Sequence, residues 1–163
     1  MSPLESLFSK FENIKVIDAS ISYSQYTPID LSVSNLDLSQ IDMKNPKSFE
    51  KYIENHLRKN DAKVAFGGYN EERNLYKQSS LFNDEQTEER NIHIGMDLWI
   101  KAGTSVLAAL DGIVYGFDYN TGAGNYGPTI ILKHTIENQT FFTLYGHLSV
   151  ESIQNIEIGS FFK

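Results

Sequence analysis

Cysteine is absent from the 163 residues. That removes disulfides, Cys-rich zinc sites, iron–sulfur clusters and thiol nucleophiles together. It does not fix a compartment, because a secreted protein can also do without disulfides. Basic residues are in deficit: 14 Lys and Arg stand against 21 Asp and Glu, for a net charge of −7. A chain this acidic lacks the basic footprint that tracks phosphates, which excludes nucleic acid as a partner class. No apolar run approaches the roughly 20 residues that span a bilayer. The N-terminus, Met1-Ser2-Pro3-Leu4-Glu5-Ser6-Leu7-Phe8, shows no basic stretch followed by an apolar one, so no export signal is legible and the compartment stays open.

What is present describes a folded chain. Hydrophobic residues make up 40% and charged residues 21%, a balance that excludes general disorder. The length fits about one domain, able to bury roughly 70% of its unfolded surface. Ten Phe and nine Tyr favour packed strands over a bare helical bundle.

The chain reads in two parts, 1–60 and 61–163, with a polar break at Arg58-Lys59-Asn60-Asp61. In the first part, Ser2-Pro3-Leu4-Glu5 is a capping-box pattern with proline at the first helical position, and Leu4, Leu7, Phe8 and Phe11 predict a helix over about 3–12. Asn45-Pro46 opens a second helix with Phe49, Tyr52, Ile53, His56 and Leu57 on one stripe. Residues 15–40 read as extended or irregular. From about 62 onward the period is two. Asn91 to Ile100 alternates, with Ile92, Ile94, Met96, Leu98 and Ile100 on one face and His93, Gly95, Asp97 and Trp99 on the other. Ser105–Leu110, Gly112–Tyr119, Thr129–Ile136 and Thr140–Leu148 read as further strands, the last two closed by Glu137-Asn138-Gln139. The expected class is mainly β (α+β overall): a compact antiparallel β domain with a partly helical N-terminal region.

Four histidines carry the candidate chemistry. His93 and Asp97 share a strand face, but their Cα atoms would lie about 13 Å apart on a straight strand, too far to share one ion. Gly95 between them tolerates a bend or bulge. A kink there brings imidazole and carboxylate together as ligands suited to zinc. Without a kink they are a half-buried His and a turn Asp with no shared partner. His147 falls on the face of Phe141, Thr143 and Tyr145, placed either for structural hydrogen bonding or, beside a metal, to orient water or stabilise a tetrahedral intermediate. His134 is expected at a strand end, and His56 in the core. Gly122-Ala123-Gly124-Asn125-Tyr126-Gly127 fits a dinucleotide fingerprint but precedes Pro128 and a β-branched run rather than a helix, so it is read as a loop.

Together these pieces resemble the M23 zinc metallopeptidases, the lysostaphin- and LytM-type endopeptidases. His93-Ile94-Gly95-Met96-Asp97 is similar to the H-x-G-x-D signature. Gly103 to Val114 resembles the following G-T-x-V-x-A-x-x-x-G-x-V strand pair. Asn125-Tyr126-Gly127 with Ile130 to His134 resembles the next strand, and Tyr145-Gly146-His147-Leu148-Ser149 the Y-x-H-L-S motif. The resemblance covers about residues 90–160 and not residues 1–60. It implies a LytM-type β-sheet or barrel-sandwich, one Zn2+ held by His93 and Asp97, and His147 as the catalytic histidine. It implies a peptide substrate, in cross-links of bacterial cell-wall peptidoglycan. Asn70 lies where some members carry an asparagine that occupies the metal in a latent form.

The chain departs from the family in one respect. The third zinc ligand normally comes from a downstream H-x-H pair, and no H-x-H occurs here. The expectation is a longer parent enzyme, with this stretch alone a poor catalyst because a catalytic zinc takes three protein ligands. Two other classes stay open. One is a non-catalytic M23-like domain that binds or regulates a cell-wall hydrolase; retained His93, Asp97 and His147 weigh against it. The other is a biotinyl- or lipoyl-type carrier, suggested by Ala109 to Val114 but lacking a Met-Lys-Met hairpin.

Overall fold

The computed structural model describes residues 2–42, 45–73, 91–122 and 124–163. Along the chain run α1 (Pro3–Phe8), β1 (Tyr26–Pro28), α2 (Pro46–Lys59), β2 (Val64–Gly67), β3 (Glu71–Glu72), β4 (Ile92–His93), β5 (Asp97–Trp99), β6 (Gly112–Asn120), β7 (Gly127–Ile136), β8 (Gln139–Tyr145), α3 (Glu151–Gln154) and β9 (Phe161–Phe162). Strands outweigh helices, and most pairings are antiparallel, as a mainly β domain requires. The chain divides into two compact units: Ser20–Ala102, and Met1–Ala19 with Gly103–Lys163. Among the described residues no helix is long and apolar enough to cross a membrane.

In the unit Ser20–Ala102, α2 starts where Asn45 caps the Lys47 N–H and Pro46 sets the first helical φ. His56, Arg58 and Lys59 fill its last turn, where cations complement the helix dipole. Phe49, Tyr52, Ile53 and Leu57 form one stripe packed with Ile29, Leu31, Ala65 and Trp99. His56 is half-buried and donates through Nε2 to the Pro28 carbonyl at 2.9 Å, a structural bond. Under the helix, β2 pairs in parallel with β1 and antiparallel with β5. A separate two-stranded ladder sets Glu71 of β3 opposite His93 of β4.

The other unit is a four-stranded antiparallel sheet in the order β8-β7-β6-β9. Glu137 (φ 48°) and Asn138 (φ 63°) turn the β7–β8 hairpin, and Gln139 already pairs with Ile136. Two positive-φ residues are what a tight hairpin turn of matching twist demands. Val114, Ile130 and Leu132 form the buried face, covered by Leu148, Ile153 and Ile156. Helix α1 has the expected capping box at Ser2 and Glu5, but stops at Phe8. There the Ser9 hydroxyl donates to the Ser6 carbonyl and Phe8 meets Phe141 edge-on at 4.9 Å. Ser105–Leu110 forms no strand of its own. Its backbone is shared between an isolated bridge from Ile17 to Val106 and the Tyr145 hydroxyl, which accepts the Ala109 N–H at 2.9 Å.

Candidate metal centre

The Asn91–Ile100 run breaks at its glycine. β4 ends at His93, β5 begins at Asp97, and Ile94-Gly95-Met96 turns between them. The two halves then join different partners, β3 and β2. The break brings His93 Nε2 to 3.5 Å from Asp97 Oδ1, the approach that a straight strand forbids. It also undoes the expected alternation: Ile92, Ile94 and Met96 are exposed, while His93 and Asp97 are half-buried.

His93 is held in one orientation. Its Nδ1 lies 2.8 Å from the Gly68 carbonyl, which can only accept, so Nδ1 carries the proton and Nε2 is the nitrogen turned to Asp97. Gly68 has φ +96°, and a Cβ there would fall 2.5 Å from Arg73 Nη2 and 2.8 Å from His93 Nδ1. Only glycine lets the backbone close over the site this way.

Arg73 lies beneath, 5% exposed. Its Nε meets Glu71 Oε2 at 2.5 Å and its Nη1 meets Asp97 Oδ2 at 2.7 Å. Burial works against the guanidinium charge, but the hydrogen bond to Glu71 and the close negative charges of Glu71 and Asp97 outweigh it and lift its pKa above the ordinary arginine value. The Asp97 contact is ionic rather than an aligned hydrogen bond: Asp97 Oδ2 and Arg73 Nη2 are both buried without one.

This donor set suits a cation. A fixed imidazole nitrogen and a carboxylate oxygen converge, and one guanidinium facing two carboxylates leaves the cluster net negative. It brings two such groups together; among the described residues no group of three His, Cys, Asp or Glu is gathered.

His147 lies in the other compact unit. It falls two residues past the end of β8, so it leaves the strand alternation, and its φ of 55° is left-handed. Its N–H donates to the Tyr126 carbonyl at 2.6 Å, and the Leu148 N–H donates to Pro128. Its exposed ring lies 6.1 Å from that of Tyr126. A left-handed non-glycine residue costs on the order of 1–3 kcal/mol and persists only where its surroundings impose it. Asn70 takes the left-handed position (φ 55°) of the turn from β2 to β3, a conformation asparagine tolerates. His134 is not at a strand end but inside β7 and fully buried. Nδ1 donates to the Asp111 carbonyl at 2.9 Å, Nε2 lies 2.8 Å from Thr143 Oγ1, and the ring stacks on Phe141.

Sequence reasoning missed Glu71 and Arg73. The signal was there: the two are spaced by two in extended chain, which puts both side chains on one face.

These features define a mainly β domain in which a histidine and a carboxylate are brought together by a break at glycine. Residues 91–160 match the sequence model of peptidase family M23, which supports an M23 peptidase-like domain over that stretch and, at the level of the family, a hydrolase. No curated protein and no solved structure matches the chain.

Proposed function

We propose that the domain is a zinc metalloendopeptidase of M23 type, with His93 and Asp97 as two of the zinc ligands and His147 as the catalytic histidine. Its substrates are peptide bonds in bacterial cell-wall peptidoglycan cross-links. The observation that carries the reading is the kink at Gly95, which sets His93 Nε2 3.5 Å from Asp97 Oδ1 within the family-matched stretch. A zinc ion held by His93 and Asp97 would supply Lewis acidity toward water and the scissile carbonyl. The chain's own residues do the rest. Gly68 fixes the His93 tautomer through Nδ1, as outer partners of ligating histidines do. His147, exposed at a left-handed backbone position, donates to the developing oxyanion or orients the attacking water. With two ligands of three, this chain alone is a poor catalyst.

The test is elemental analysis after dialysis against Zn2+, on this chain and on a form carrying a downstream H-x-H pair. About one zinc per chain is expected in the second form, lost in His93→Ala and Asp97→Ala, together with cleavage of cell-wall peptides. Stoichiometric zinc retained in both variants overturns the site. Zinc without cleavage of any cell-wall peptide turns the reading toward a regulator of a cell-wall hydrolase.

A further inference from the structure

The Arg73–Glu71 pair sits outside the family-matched stretch, yet it is the most buried charge cluster around the candidate centre. We propose that Arg73 is a positioning residue of the metal centre: anchored by Glu71, it grips Asp97 Oδ2 and thereby aims Oδ1 at His93. The inference rests on the reading of His93 and Asp97 as metal ligands.

Four observations carry it. First, Arg73 uses two different edges of its planar fork, Nε toward Glu71 at 2.5 Å and Nη1 toward Asp97 at 2.7 Å. A lysine keeps the charge but cannot span two carboxylates in a fixed geometry. Second, Glu71 is itself fixed, because its Oε1 accepts the Leu31 N–H at 2.9 Å. Third, the support behind Leu31 is continuous. Ile29 N–H donates to the Phe66 carbonyl and Val33 N–H to the Glu72 carbonyl, both at 2.9 Å. Alternate residues of 29–33 thus lean on β2 and β3. Fourth, Gly68 closes over both the guanidinium and the His93 ring, so the two groups share one backbone roof. Burying a charged group is costly, and a buried ion pair is weak evidence for stability. An organising role accounts for Arg73 better than a stabilising one. The relay Leu31, Glu71, Arg73, Asp97 makes residues 29–33 part of the centre.

The test is Co2+ titration of the form carrying the downstream H-x-H pair, read by the visible d–d absorption, with thermal melts to confirm folding. His93→Ala calibrates the site and is expected to lose the band. Arg73→Lys keeps the charge and loses the two-edged grip, so Co2+ should bind about 10- to 100-fold more weakly with a changed band shape. If Arg73→Lys does not fold, Glu71→Gln tests the same anchor and should weaken Co2+ binding in the same direction. A folded Arg73→Lys, or failing that a folded Glu71→Gln, with wild-type Co2+ affinity and band shape overturns the positioning role. If His93→Ala keeps the band, the ligand reading itself fails, whatever Arg73 does.

Discussion

His93 and His134 begin alike and end differently. Each donates Nδ1–H to a backbone carbonyl, His93 to Gly68 at 2.8 Å and His134 to Asp111 at 2.9 Å. The second nitrogen separates them. In His134 it is spent on Thr143 Oγ1, in a fully buried ring stacked on Phe141. In His93 it is turned to a half-buried carboxylate at 3.5 Å, beside a guanidinium and under a glycine roof. The lesson is that a fixed tautomer does not by itself mark a ligand. His93 differs from His134 in that its second nitrogen is turned to a carboxylate.

Three perturbations test that contrast, in falling order of effect. His134→Ala removes a fully buried ring and leaves the Asp111 carbonyl and Thr143 short of a partner. A loss of about 3–5 kcal/mol is expected by analogy with buried aromatic truncations, measured by chemical denaturation. His93→Ala should cost far less stability while removing cation binding. Equal stability losses in the two variants would erase the distinction. Gly68→Ala comes next. Its φ of +96° and the 2.5 Å and 2.8 Å approaches to Arg73 and His93 predict about 1–3 kcal/mol of strain, with weakened Co2+ binding. An unchanged Co2+ affinity would show that the roof does not orient His93.

The smallest effect is electrostatic. The Ser32 hydroxyl and backbone N–H donate to the Asp30 carboxylate and hold its pKa below the ordinary value. A depressed carboxylate adds stability above its unfolded pKa and loses it as pH falls through the folded one. Asp30→Asn should therefore melt slightly lower than wild type at neutral pH. The gap should close as the pH drops below about 4, and solvent screening keeps it small. A gap that persists at pH 2 would assign the effect to something other than this charge.

Local patterns were legible where short-range chemistry decides. Asn45-Pro46 started α2, and its stripe of Phe49, Tyr52, Ile53 and Leu57 packs as the period predicted. The β7–β8 hairpin is closed by the polar turn expected of it. Patterns failed where distant partners compete for the backbone. Ser105–Leu110 reads as a strand, yet it is divided between Ile17 and Tyr145. Ile92, Ile94 and Met96 alternate as a core face, yet they are exposed, because the two halves of that run pair with different strands.

The order of residues alone determined that His93, Gly95 and Asp97 would stand together with a glycine able to bend between them, because spacing and backbone freedom are local properties. It also determined the acidic balance, the absence of thiol chemistry and the H-x-G-x-D resemblance. Tertiary structure decided that the bend is made. It also decided that His134 is walled in while His93 faces a carboxylate, and that Arg73 reaches Asp97 from an anchor on Glu71 and Leu31. The contacts of Arg73 with Asp97, Leu31 with Glu71 and His134 with Asp111 join residues tens of positions apart, so no short window of sequence contains them.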